Sequence, residues 1–175
     1  MPARPVSDDI RRLVEAALPH VAFEGWSERV LRAAAAEAGL DERQCRALLP
    51  RGVADLAAAS HRLGDEAMRA RLAAMDLADM RLNTRVALAL RIRLEAIPGR
   101  EVARKGMALF ALPHLAPVGA SLVWGTADAI WNAVGDTATD GNWYTKRAIL
   151  SAVWTATVTY WLGDNSPGFE SSAAF

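Results

Sequence analysis

An all-α fold is predicted for this chain, and three observations predict it. Apolar residues recur at helical spacing over nearly the whole length. Ala, Leu and Arg, all strong helix formers, dominate those periodic segments. The breaks between them carry Ser, Asp, Gly and Pro in the order that starts and stops helices. At 175 residues one domain with a real core is expected. Its 52% apolar and 23% charged residues are ordinary for a globular protein. Lys plus Arg and Asp plus Glu number 20 each, and this zero net charge argues against a nucleic-acid binder. The lone Cys45 excludes an internal disulfide, fits a reducing compartment, and has no nearby His to make it a nucleophile. The N-terminal run MPARPVSDDIRR has no apolar core and carries Asp8 and Asp9, unlike a secretory signal or a mitochondrial presequence. A bacterial cytoplasmic location is expected.

The elements follow in order. Ser7 caps a first helix on the stripe Ile10, Leu13, Val14, Ala17 and Leu18, ending near Pro19–His20. Ser27 caps a second, Glu28–Ala38, with Gly39 at the C′ position. Asp41 caps a third, with Gln44 placed for a capping box, ending near Leu49–Pro50. This helix, turn and short helix make a helix-turn-helix layout. With the preceding helix it resembles the N-terminal part of TetR-type regulators. The helix that would read DNA opens with Asp41 and Glu42 and offers Cys45, Leu48 and Leu49, which meet phosphates and base edges badly, so no nucleic-acid partner is expected.

A long helix from Gly52–Val53 to Ala74 comes next, with Gly64–Asp65 a candidate interruption. Met80–Ile97 alternates like a strand through Val86, Leu88, Leu90, Ile92 and Leu94. Its length, its Ala, Leu and Arg content and the lack of a partner strand decide for helix. Pro98–Gly99 ends it. Arg100–Leu112 follows, with a basic flank of Arg100, Arg104 and Lys105. Gly106–Ala127 has no formal charge and could suggest a membrane span, but Pro113 and Pro117 read as the end of one helix and the start of another. That corner could face a membrane. Val118–Val134 then buries Ala120, Val123, Trp124, Ala127, Trp131 and Val134, with Ser121, Gly125, Asp128 and Asn132 on its polar side.

The stretch GDTATDGNWYTKR, Gly135–Arg147, is the most information-dense in the chain. It leads into a last helix from Asn142–Trp143 to about Leu162. Trp143, Arg147, Leu150, Trp154, Thr157 and Trp161 share one stripe, so Arg147 lies among aromatics and needs an anion. That anion is Asp136 or Asp140, or else a lipid phosphate drawn to the helix N-terminus and Lys146. Opposite the large side chains runs a face of Thr145, Ala148, Ser151, Ala152, Thr155, Ala156 and Thr159. No charge occurs from Ala148 to Gly163, which predicts burial on all sides and close approach of a second subunit, hence a homodimer through the last two helices. Trp124, Trp131, Trp143, Trp154 and Trp161 serve either as core or as the wall of an apolar ligand pocket. A polyprenyl tail in such a pocket gains about 0.8 kcal/mol per buried CH₂.

GDTATDGNWYTKR, the apolar helix after it and DNSP at Asp164–Pro167 resemble the ubiquinone-biosynthesis lipid-binding accessory family, the ninth of the coenzyme Q proteins. VAFEGWSERVLRAAA at Val21–Ala35, ADLAAA at Ala54–Ala59 and ALFALP at Ala108–Pro113 resemble it too. The chain departs from the family at Gly141, where members usually carry Phe. Members also continue past DNSP into an amphipathic membrane-binding helix, whereas this chain stops at Phe175, so its membrane contact is expected to be weak.

The resemblance implies a TetR-like protein: a helix-turn-helix-like part over 1–52, lipid-binding and dimerisation helices over 53–166, and a tail over 167–175. It implies phospholipid and polyprenyl quinone intermediates as ligands, with Arg147, Trp124, Trp131, Leu150 and Trp154 as the lipid-binding residues. It implies the di-iron demethoxy-quinone hydroxylase as partner, met by Asp140, Trp143 and Tyr144, at the inner membrane's edge. The alternative is a TetR-type regulator that senses an apolar ligand. His20, His61 and His114 are far apart, and no metal, phosphate-loop or nucleophile motif is present, so no catalytic residue, metal or cofactor is assigned.

Overall fold

The computed structural model describes residues 5–136 and 141–166, and among these it holds eight α-helices and no strand. They are α1 (Asp8–Glu24), α2 (Glu28–Glu37), α3 (Glu42–Leu48), α4 (Val53–Ala73), α5 (Leu82–Glu95), α6 (Arg100–Phe110), α7 (Ala116–Ala133) and α8 (Gly141–Gly163). The fold is all-α, consistent with a TetR-like fold. The strand-like alternation of residues 86–94 is carried by α5, as its composition requires.

Two compact units make up the chain. The first joins Met1–Gly64 to Ile97–Leu122, and the second joins Asp65–Ala96 to Val123–Phe175. In the first, α1 and α2 pack Leu13, Val14, Ala17, Val21, Val30, Leu31 and Ala34 together with Leu56 and Val102. In the second, Met68 and Leu72 of α4 meet Ala89 and Ile92 of α5, Ala127 and Ile130 of α7, and Leu150 of α8.

The start and stop signals act locally. The Asp41 side chain accepts from Gln44 N–H at 2.7 Å while the Gln44 side chain accepts from Asp41 N–H at 2.8 Å, a complete capping box. Gly39, at φ +68°, closes α2: its N–H reaches the Ala36 carbonyl and that of Leu40 reaches Ala35. Ser27 accepts from Val30 N–H at 3.3 Å. Ser7 occupies the predicted N-cap position, but its hydroxyl makes no capping bond.

Four readings are corrected. The first helix runs through Pro19 to Glu24, because Val21 is fully buried in the core while Pro19 lies exposed, where the hydrogen bond it cannot donate faces water. α4 is continuous across Gly64–Asp65, whose aspartate is tied into the second unit's interior. The buried stripe of α7 is rotated: Leu122, Thr126, Ala129 and Ile130 are buried beside Ala127 and Val134, while Ala120 is exposed and Trp124 and Trp131 are half-buried. α8, expected to be buried on all sides, buries Arg147, Leu150 and Trp154 and exposes Ile149, Val153 and Tyr160. No helix is long and apolar enough to cross a membrane among the described residues.

Candidate functional site

The site grows from the facing stripes of α7 and α8 within the second unit. Helical spacing puts Trp143, Arg147, Leu150 and Trp154 on one side of α8, and the structure buries the last three. Arg147, 1% exposed, is the largest fully buried side chain among the described residues. Its Nε donates to Asp128 Oδ1 at 2.6 Å, and an Nη lies 3.5 Å from Asp136 Oδ2. The other Nη reaches Asn132 at 3.5 Å, and the Trp143 carbonyl accepts at 3.3 Å. Trp143 then lies against the guanidinium, 3.9 Å from ring centroid to Cζ. Of the anions open to Arg147, Asp136 is engaged, and Asp128 is a closer partner. Asp136 also takes Lys146 Nζ at 2.7 Å, and Lys146 rides over Trp131 at 5.3 Å.

Above this charged base sits an aromatic cluster. Trp143 and Tyr144 meet edge to face at 4.7 Å, and Trp124 of α7 lies 6.0 Å from Trp143 and 6.5 Å from Tyr144. Tyr144 is 66% exposed, so the cluster ends in an open aromatic face.

Known proteins similar to this chain share one name. The COQ9 family profile matches residues 116–175, which include α7 and α8. Ubiquinone biosynthesis protein COQ9 of Homo sapiens is 37% identical over 91 residues, 52% of this chain and 28% of the human protein. The Drosophila melanogaster protein of the same name is 30% identical over 177 residues, 96% of this chain and 53% of its own. The Bos taurus protein is 27% identical over 182 residues, 94% of this chain and 54% of its own. All three are named as mitochondrial.

The chain is similar to the COQ9 family, and its last two helices match that family's profile. It spans about half the length of the cow and fly relatives.

Within the COQ9 frame the sequence-assigned residues separate. Arg147, Leu150 and Trp154 are buried, Trp124 and Trp131 are half-buried, and Trp131 donates its indole N–H to the Lys146 carbonyl at 3.1 Å. Trp143 and Tyr144 share the aromatic cluster with Trp124. Asp140 lies outside the described residues; α8 begins at Gly141.

Sequence reasoning missed two features. It placed Asp128 on a solvated polar stripe, although the i, i+4 pair Asp128 and Asn132 both face Arg147. It also missed the buried Arg93, which donates to Asp65 at 2.6 Å beside a Thr126 hydroxyl at 2.9 Å and lies 5.1 Å from the Trp154 ring. The available signal was an acid and a base each set in an otherwise apolar helical stripe. In the first unit, burial pushes the Cys45 thiol up, and Asp41 adds to the shift. In the second, Arg71 and then Arg91 hold the Glu95 carboxyl below its ordinary range against the effect of burial. Among the described residues no three His, Cys, Asp or Glu side chains are grouped to hold a metal.

Proposed function

We propose that this chain serves ubiquinone biosynthesis as a non-catalytic accessory protein. It docks on the demethoxy-quinone hydroxylase and holds phospholipid or polyprenyl quinone intermediates for it. The observation that carries the docking part is the Trp124, Trp143 and Tyr144 cluster, open at Tyr144 and seated on a buried ion pair. A rigid aromatic surface loses little side-chain entropy on binding and supplies the anchors that dominate interface energetics. The names of the COQ9 relatives support the pathway.

Lipid holding draws its support from the outer face of α8. Ile149 and Val153 are exposed there, and the Thr155 and Thr159 hydroxyls donate back to carbonyls four residues earlier at 2.8–2.9 Å. The helix therefore offers methyl groups and no charge over several turns. Arg147 enters this reading as the base of the aromatic platform. A lipid phosphate would have to displace Asp128 and Asp136 to reach it. The same uncharged face suits a second copy of the chain, and a peripheral place at a bacterial inner membrane completes the proposal. A TetR-type regulator is not favoured: α3 is seven residues long and opens on Asp41 and Glu42.

Tyr144→Ala tests the docking. Tyr144 is exposed, so the variant should keep its helix content while binding to the hydroxylase weakens about tenfold or more, as for a central aromatic anchor. Trp143→Ala should weaken it too, and will also uncover Arg147. Unchanged binding by both would remove the platform from the mechanism. Native mass spectrometry of purified protein reports bound lipid and subunit number together; no retained lipid would remove the lipid part.

A further inference from the structure

A second surface lies in the first unit, at the turn between α6 and α7. Gly106–Leu122 contains no Asp, Glu, Lys or Arg. Met107, Leu112, Pro113 and Pro117 are exposed there, Leu112 by 44%. The turn is closely packed: a Cβ on Gly119 would sit 2.9 Å from Phe110 Cβ, so α6 and α7 meet almost backbone to side chain. Its polar backbone is largely satisfied from within. Ala111 N–H reaches Met107, Leu115 and Ala116 N–H both reach Leu112, and Gly119 N–H reaches Leu115, all at 2.9–3.0 Å. Pro113 and Pro117 bring no N–H at all. A tip with His114 as its one exposed polar side chain between the prolines, and with most backbone donors occupied, can leave water at low cost, which is the requirement of lipid contact.

The neighbouring residues give the tip a direction and a charge. Leu18, Pro19 and Ala22 of α1 lie beside residues 99–102 at the start of α6, and just past the end of α1 Gly25 lies against Lys105 and Trp26 against Gly106. α6 therefore continues past the end of α1, where Phe23 stands 87% exposed. The preceding turns of α6 carry Arg100, Arg104 and Lys105 against the single acid Glu101, which pairs with Arg104 at 2.7 Å and leaves a net positive charge. The methylenes of Lys105 lie along Gly25, with Cδ 3.3 Å from where a Cβ would be, an arrangement that lets the stem cover apolar surface while the ammonium stays wet. From Lys105 to Leu112 is about 10 Å at helical rise, close to the depth of an interfacial insertion. A basic collar one insertion depth behind an apolar tip is complementary to an anionic lipid surface.

We propose that the α6–α7 turn is a bilayer-contacting wedge, inserting Met107, Leu112 and the two prolines between lipids while Lys105 meets anionic headgroups. This contact is separate from the α8 aromatic platform. It is measured without the hydroxylase, so its failure would leave the docking reading standing. The test uses the whole chain and sedimented vesicles of phosphatidylcholine with phosphatidylglycerol. The wild-type chain should co-sediment. Leu112→Glu and Met107→Glu should each lower the bound fraction about tenfold or more, with circular dichroism unchanged. Lys105→Glu should weaken binding to the anionic vesicles. An environment-sensitive fluorophore on Leu112→Cys, in a Cys45→Ala background, should shift to the blue when vesicles are added. The proposal is overturned if the wild-type chain stays in the supernatant, if the glutamate variants bind as wild type, or if the probe does not shift. It is also overturned if Leu112→Glu only separates a dimer into monomers, which would make the wedge an interface between copies.

Discussion

The Arg147 guanidinium is enclosed by Asp128, Asp136, Asn132 and the Trp143 ring, and this pairing links α7 to α8. A charge this deep is tolerated only with its partners in place, since desolvation offsets much of the attraction. Arg147→Ala leaves two carboxylates facing an apolar stripe and should cost about 3 kcal/mol. For a chain of this size the thermal midpoint should fall by about 10 °C, measured by circular dichroism or calorimetry. An unchanged midpoint would mean that the pair is neutral, and the platform above it would need another support. The need of Arg147 for an anion was legible from its place in an aromatic stripe. That Asp128 supplies the closest one was not, because the relative rotation of two helices is a tertiary fact. Asp140, the other residue marked as its partner, falls outside the described residues.

Helix boundaries mostly obeyed short-range chemistry. Ser27, Gly39, Asp41 and Gln44 act as their types dictate, because a cap needs only neighbours within one turn. Pro19 is the exception, and it shows how burial outweighs local preference. Val21 lies beyond it, fully buried against the first unit's core, and holds the helix through the proline. Pro19→Ala should therefore stabilise the chain by about 1–2 kcal/mol. It restores the N–H and removes the ring clash, less the entropy that Pro withheld from the unfolded chain. A shift of the urea midpoint to higher concentration checks this. A shift downward would show that the native backbone at residue 19 is shaped for proline. The rotated stripe of α7 has a similar origin. Its two faces are nearly equal in apolar content, so periodicity gives a weak choice between them, and Thr126 wins burial by donating to Asp65.

At the scale of the molecule, the uncharged outer side of α8 is the feature to account for. The sequence led to an expectation of burial on all sides; among the described residues, the side covered within one chain is that of Arg147, Leu150 and Trp154. A second copy laid against Ile149 and Val153 would complete it. Ile149→Glu should then convert a dimer to a monomer in light scattering at fixed concentration, with little change in helix content. If the mass is the same for variant and wild type, α8 faces something other than its own copy.

By itself the sequence determined the all-α class, the caps, the stripe of α8 and the family motif, because each is written in residues a few positions apart. Tertiary structure decided which carboxylates answer Arg147 and Arg93, which face of α7 turns inward, and that Trp124, Trp143 and Tyr144 gather into one cluster open at Tyr144. Those outcomes depend on how helices distant in the chain are turned against each other, and a one-dimensional pattern carries no term for that rotation.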